Sequence, residues 1–153
     1  MNVDIIEYED DHHEAFRSMN EAWLDLYNLK EEADMLILNN PRKTIIDNGG
    51  VIFLARCNNE IVGSAALIKT QDGTFELAKM AVVNNYRKQG IGQLLIKTCL
   101  DKAKDLNAHK ILLFSNHQLK AALALYEKYG FTYVPVKDSH FATADIKMEL
   151  TLR

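Results

Sequence analysis

Phe75 to Leu100 reads FELAKMAVVNNYRKQGIGQLLIKTCL, and how this stretch folds decides the rest. It opens with an apolar run, Leu77 to Val83, broken by a single charge at Lys79. A polar turn, Asn84-Asn85-Tyr86, leads into a basic loop, Arg87-Lys88-Gln89-Gly90-Ile91-Gly92. From Ile91 the apolar residues (Ile91, Leu94, Leu95, Cys99, Ala103, Leu106) fall on one helix face. The order is strand, glycine loop, helix. The first N–H groups of such a helix have no intrahelical partner and carry partial positive charge, so they aim an anion site into the loop. Glycine at 90 and 92 permits close approach to the backbone, and Arg87 and Lys88 add full charges. A phosphate-bearing ligand is the expected guest.

Two other phosphate loops are excluded. The P-loop needs a Gly-Lys-Ser/Thr ending, and no glycine here precedes such a pair. The dinucleotide pattern G-x-G-x-x-G fails at its third glycine, where Leu95 stands. What remains is Arg87-x-x-Gly90-x-Gly92 after a strand.

Upstream, Val3 to Tyr8 reads as a strand, and Asp10 or Asp11 is available to cap the helix that follows. That helix, His12 to Leu26, carries Ala15, Phe16, Met19, Ala22, Trp23 and Leu26 as one stripe. Trp23 and Tyr27 on the stripe read either as core packing or as the wall of a substrate cleft. A shorter helix over Glu31 to Leu38 ends at Asn39-Asn40-Pro41. After the Asn48-Gly49-Gly50 turn, Val51 to Arg56 and Ile61 to Lys69 form a hairpin through Asn58-Asn59. Gly63 inside the second strand marks a bulge or a close backbone approach. Gln71-Asp72-Gly73 then turns into the opening stretch, so three antiparallel strands precede the glycine loop.

Downstream, Lys110 to Ser115 (KILLFS) is apolar on both faces, as a central parallel strand is. Gln118 to Tyr129 is the next helix, closed by Gly130 as a left-handed cap, with Phe131 packing back on it. Tyr133 to Val136 and the alternating Ile146, Met148, Leu150 and Leu152 supply two last strands. The predicted order is β-α-α-β-β-β-α-β-α-β-β, an α/β (α+β) mixed sheet with helices on its faces. One domain over residues 1–153 is expected, since no linker or repeat interrupts the pattern.

Composition restricts the function class. With 48% apolar and 25% charged residues, the chain has the balance of a water-soluble fold. A net charge of −3 argues against nucleic acid as a partner. The five histidines show no metal-ligand spacing, so no metal is expected. Cys57 and Cys99 lie far apart in apolar segments and read as buried thiols, with a disulfide left open. The first residues are acidic and amphipathic rather than basic then apolar, and no run reaches a membrane span, so the expectation is a cytoplasmic protein with no membrane partner.

The loop Arg87-x-x-Gly90-x-Gly92 resembles the acetyl-CoA pyrophosphate loop of the GNAT superfamily of N-acetyltransferases, Q/R-x-x-G-x-G/A. A second hallmark of that superfamily, L-Y-x-x-x-G-F, is matched by Leu125-Tyr126-Glu127-Lys128-Tyr129-Gly130-Phe131. Asn116, Leu119 and Ala122 resemble its N-x-x-L-x-x-A stretch, and the segments around Glu76 and Ala144 to Leu150 resemble a bacterial branch whose module stands alone or is fused to a DNA-binding domain. The resemblance covers nearly the whole chain.

It implies the GNAT fold, with the central sheet splayed between its fourth and fifth strands, and acetyl-CoA as co-substrate. It implies transfer of an acetyl group to a primary amine of a small molecule or peptide by direct attack on the thioester. Arg87, Lys88, Gln89, Gly90, Ile91, Gly92 and Gln93 would hold the pyrophosphate. Met80, Ala81 and Val82 would pair with the pantetheine arm, and the Val82 N–H would face the thioester oxygen. Tyr126 stands at the position of the general acid for the departing thiolate, or packs on the helix face. Glu76 is the candidate base, or a solvent-facing residue paired with Lys79 or Lys69. Asn116 either contacts pantetheine or forms a turn. His117 and His140 read as surface or loop histidines. The acidic residues around Glu31, Glu32 and Asp34 read as a solvated face or an attractor of cations. The rival from another class is a non-catalytic acyl-CoA sensor on the same fold. An exposed edge at the C-terminal strand favours a homodimer.

Overall fold

The computed structural model describes residues 2–137 and 141–152. Seven strands form one mixed sheet: β1 (Val3–Glu7), β2 (Val51–Cys57), β3 (Glu60–Gln71), β4 (Thr74–Val82), β5 (Lys110–Ser115), β6 (Thr132–Val134) and β7 (Ile146–Thr151). Their spatial order is β1-β2-β3-β4-β5-β7-β6. All neighbours are antiparallel except β4 and β5, which run parallel. Among the described residues four α-helices cover the faces: α1 (His13–Leu26), α2 (Glu32–Asn39), α3 (Ile91–Asp105) and α4 (Lys120–Lys128). The expected element order holds throughout.

The β2–β3 hairpin turns on Asn58 (φ 52°) and Asn59 (φ 64°), two left-handed residues whose twist suits a tight hairpin. Gly63 fulfils both expectations. Ala55 faces Gly63 while Arg56 faces Ile61, so one extra residue bulges beside it. A Cβ there would stand 3.1 Å from both Ile91 and Leu95, so the bare backbone lets α3 sit directly on the sheet. At the end of α4, Gly130 has φ 98°, and the Phe131 N–H donates to the Tyr126 carbonyl at 3.1 Å.

Alternation along the strands sorts the core into two layers. Leu67, Phe75, Leu77 and Leu113 pack with Leu95, Ile96 and Cys99 of α3 and with Tyr126 of α4. On the opposite face Ile52, Leu54 and Ala66 pack with Phe16 of α1 and Leu38 of α2. Both cysteines are buried and free.

Two expectations are corrected. Neither Asp10 nor Asp11 caps the first helix: the Glu9 N–H donates to His12 Nδ1 at 3.0 Å, and Asp10 accepts from Arg42 instead. The second helix ends at Asn39 as expected, and Pro41 then opens a separate wide turn, Arg42–Ile46, that buries Ile45. Proline is tolerated where a helical turn begins, since its missing N–H has no partner to lose there. The C-terminal strand is no edge: β7 lies between β5 and β6, and the rim is the three-residue β6. The argument for a homodimer through that strand therefore falls. Among the described residues no helix is long and apolar enough to cross a membrane.

Candidate active site

The lone charge in the apolar run shapes the site. Lys79 adopts φ 53°, a conformation that costs an L-residue roughly 1–2 kcal/mol. Around it Ser64 faces Ala81 while Ala66 faces Ala78, so β4 carries an extra residue and bends. Side chains from three elements hold the bend. Ser64 Oγ donates to the Lys79 carbonyl at 2.6 Å, and buried Asn20 of α1 donates to Ser64 Oγ at 2.9 Å. The Lys79 ammonium meets Asp34 of α2 at 2.5 Å, with both side chains buried.

The bend opens the sheet. β4 and β5 pair only over Thr74–Glu76 and Lys110–Leu112, and beyond these residues they diverge. The expected splay is present. The Val83 N–H donates to the Val62 carbonyl, so by alternation the Val82 N–H points away from β3 and into the gap.

Glu76 and Tyr126 border this gap from different layers. Glu76 is 4% exposed and pairs in register with Ile68, which packs in the α1–α2 layer. It is not the solvent-facing residue that one reading expected, and the Lys79 ammonium lies against Asp34. Tyr126 is 8% exposed in the α3–α4 layer, its ring tilted against Phe131 at 5.9 Å. Both line one cleft, with Met80, Phe114, Ser115 and Asn116. Burial, with the Cys99 thiol as a second influence, pushes the Tyr126 hydroxyl above its ordinary value, and burial pushes Cys99 itself to about 12. Tyr126 therefore stays protonated at neutral pH.

In the glycine loop Lys88 (φ 63°) and Gly90 (φ 85°) turn the chain so that α3 starts at Ile91 with no side-chain cap at its N-cap residue, Gly90. A Cβ on Gly90 would meet nothing within 4 Å, so the space above it is open. Gly92 serves another purpose: a Cβ there would touch Leu125 at 3.4 Å, so this glycine brings α3 against α4. Arg87 turns back on the protein. Its Nε donates to the Val82 carbonyl at 2.8 Å, its Nη1 to Asn84 at 3.3 Å, and its guanidinium lies 4.6 Å over the Trp23 ring. Lys88 and Gln89 are exposed, and Gln93 accepts from Lys128 at 3.0 Å. Ala81 is buried in register with Ser64.

Trp23 is half-buried and lines the cleft; Tyr27 packs on it at 5.2 Å but stands outside the lining. The segment 141–145 closes one side as a strap. Glu31 accepts from the Ala142 and Thr143 N–H groups at 2.9 Å each and from the Thr143 hydroxyl. Burial pushes the Glu31 carboxyl up, but these bonds outweigh it and hold the group below its ordinary value. Asn116 donates to the Thr143 carbonyl at 2.8 Å and accepts from the Gln118 N–H, the turn-forming arrangement. His117 bonds Asp145 at the surface, which lowers the Asp145 carboxyl. His140 lies outside the described residues. Glu31 and Asp34 are thus internal partners rather than a solvated acidic face; only Glu32 is exposed.

Sequence reasoning did not find Asp34, Asn20, Ser64 or Phe141 as parts of the site. The available signals were Lys79 alone in an apolar run and Asp34 alone in Ala-Asp-Met-Leu-Ile-Leu. Among the described residues no group of three or more His, Cys, Asp or Glu side chains could hold a metal ion.

The sheet is thus splayed beside a glycine loop, with the Tyr126 phenol and the Glu76 carboxylate lining the cleft at the gap. The sequence profile of the acetyltransferase (GNAT) family matches residues 9–131, and the chain belongs to that family. Membership carries N-acetyltransferase activity with acetyl-CoA as acyl donor. The chain is 32% identical over 111 residues to the uncharacterized N-acetyltransferase YvbK of Bacillus subtilis, covering 71% of this chain and 72% of that one. It spans between 34% and 55% of seven further curated relatives. An acetyltransferase of the GNAT family from Staphylococcus aureus superposes with a TM-score of 0.91 at 24% identity, over 99% of this chain and 100% of that one. The PaiA N-acetyltransferase of Thermoplasma acidophilum, solved with coenzyme A, superposes with a TM-score of 0.77 at 16% identity, over 99% of each chain.

Proposed function

We propose that this chain acetylates a primary amine of a small molecule or peptide, with Glu76 and Tyr126 as its proton-transfer groups. The observation that carries the reading is that these two residues line one cleft at the point where β4 and β5 part. The residues present suit acetyl-CoA. The start of α3, with no side-chain cap at Gly90, the open space over that glycine and the charge of Lys88 suit a pyrophosphate. The strand edge of Met80 to Val82 suits an extended amide-bearing arm. Bound there, acetyl-CoA supplies an acyl carbon activated by its thioester.

The protein's own groups manage protons and charge. An alkyl ammonium titrates near 10, so it must lose a proton before it attacks. Glu76 takes that proton, directly or through one water. The Val82 N–H, aimed into the gap, stabilises negative charge on the acyl oxygen. Tyr126 gives its proton to the departing sulfur as the C–S bond breaks and the C–N bond forms. The second amine proton, released on amide formation, restores the tyrosine. Arg87 acts by position, fixing the loop to Val82 and to Trp23.

Thiol release from acetyl-CoA, measured over a panel of primary amines, tests this. Amine-dependent release is expected, lost in Glu76→Gln and Tyr126→Phe. Tight coenzyme A binding with no amine raising release above hydrolysis returns the chain to the acyl-CoA sensor reading.

A further inference from the structure

A second cavity reaches Glu76 from outside the acyl-transfer cleft. It runs under α2 between that helix and the β3–β4 ladder, and it shares Glu76 and Phe141 with the cleft. Its walls are mainly apolar, Ala33, Leu36 and Ile37 of α2, Ile68 of β3 and the Phe141 ring, with Thr44 and Thr70 at its margin. Leu36 is 63% exposed, an unusual position for a large aliphatic side chain. The register places Glu76 and Ile68 side by side on the same sheet face, so the apolar wall continues to the carboxylate.

Charge is sparse along this groove. Lys69 lines it and pairs with Asp72 at 3.6 Å. Asp34 of α2 and Glu31 just before it have both oxygens engaged, and Glu32 is exposed and outside the groove lining. Asp34 takes Lys79 on one and the Glu31 N–H on the other, while Glu31 grips the 141–145 strap. Among the lining residues Glu76 is the one carboxylate, so a second ammonium on an acceptor inside the groove would meet Lys69, the threonines and apolar carbon.

We propose that this groove holds the body of the acceptor and selects a primary amine carried on an uncharged, apolar chain or ring, in preference to a polyamine. The reading rests on the transfer reaction proposed above, in which Glu76 meets the reacting nitrogen. Leu36, Ile37 and Phe141 are then specificity-determining residues. The groove delivers the amine from the α1–α2 face, while the acyl donor lies toward the α3–α4 face, and the two meet at the splay.

The test compares hexylamine with hexamethylenediamine, which differ by one terminal ammonium on the same carbon chain. The wild-type protein is expected to favour hexylamine in kcat/KM by about tenfold or more, the scale set by burying a few methylenes against a charge. Leu36→Glu changes an exposed residue and should preserve the melting temperature and the KM for acetyl-CoA. It should raise the KM for hexylamine about tenfold and erase the preference. Equal or better use of the diamine, or a Leu36→Glu protein with unchanged hexylamine KM, overturns the proposal. If no amine releases thiol, the transfer reading has failed, and binding of the same amines to the coenzyme A-saturated protein by calorimetry decides the groove. Hexylamine binding that weakens in Leu36→Glu upholds it; no binding, or no weakening, sinks it.

Discussion

Glu76 and Tyr126 belong to opposite faces of one sheet, yet they line the same cleft because β4 and β5 separate immediately after Glu76. A continuous ladder would put a layer of backbone between them. The gap lets a carboxylate from one layer and a phenol from the other face a common space.

Removing either group should affect the rate and leave the fold intact. Tyr126→Phe is expected to lower kcat about 10²-fold with little change in KM for acetyl-CoA, the usual scale for one proton-transfer group. Glu76→Gln should fall by a similar factor at neutral pH and recover with pH. Without a base the rate follows the fraction of free amine, rising about tenfold per pH unit toward the amine's own value near 10. Because burial holds Tyr126 protonated, no falling limb from its ionisation is expected below pH 10. A Glu76→Gln profile parallel to the wild type removes Glu76 from the mechanism.

The buried Lys79–Asp34 pair should behave as a unit. Lys79→Met or Asp34→Leu alone strands a charge out of water and is expected to cost about 3–5 kcal/mol. The double replacement should cost less than the sum of the two, since no charge is left unpaired. Urea denaturation of the four proteins gives the coupling. Strict additivity would mean that the two charges do not depend on each other.

Glycines 63 and 90 should separate stability from binding. Gly63→Ala presses a methyl group onto Ile91 and Leu95 and is expected to destabilise by about 1–3 kcal/mol. Gly90→Ala meets open space, but a side chain at φ 85° costs roughly 1–2 kcal/mol and distorts the anion-binding turn. Its signature should be weaker coenzyme A binding by calorimetry. Unaltered affinity in Gly90→Ala would show that the loop geometry is not needed for the ligand.

Acid should loosen the strap. The Glu31 carboxyl is lower in the folded chain than its unfolded value of about 4.3. Such a group contributes stability above that value and loses it as pH falls through the lower, folded one. Glu31→Gln is therefore expected to be less stable than wild type at neutral pH, with the difference closing as pH falls below the unfolded value. Denaturant midpoints measured across that range provide the check; a gap that stays constant with pH means Glu31 acts without its charge.

Much of this was legible because local rules and global packing agree. The glycine loop, the Asn58-Asn59 hairpin and the Leu125-to-Phe131 helix end each put glycine or asparagine where the backbone turns left-handed. The splay was foreseen, but its cause was not. Lys79 reads in sequence as one charge in a strand, and its left-handed backbone depends on Ser64, Asn20 and Asp34, which arrive from distant elements. Asp34 was misread for the same reason, since a carboxylate on a short helix looks solvated until its partner is placed. Glu76 shows the limit in the other direction. Its position was clear, while its burial depended on how α2 and the strap close over β4.

The splay also has a consequence for how the protein fails. An open hydrogen-bonding edge usually lies at the rim of a sheet, where it invites strands from other molecules. Here the edge runs through the middle, along Met80 to Val82. Heating that loosens the flanking helices should expose it to foreign chains, so misassociation is expected to begin at the centre of the sheet rather than at β1 or β6. Coenzyme A at a hundredfold over its Kd should delay the onset of light scattering, reflecting about 2.7 kcal/mol of added stability. The same gap that admits a ligand makes that ligand the guardian of the sheet's solubility.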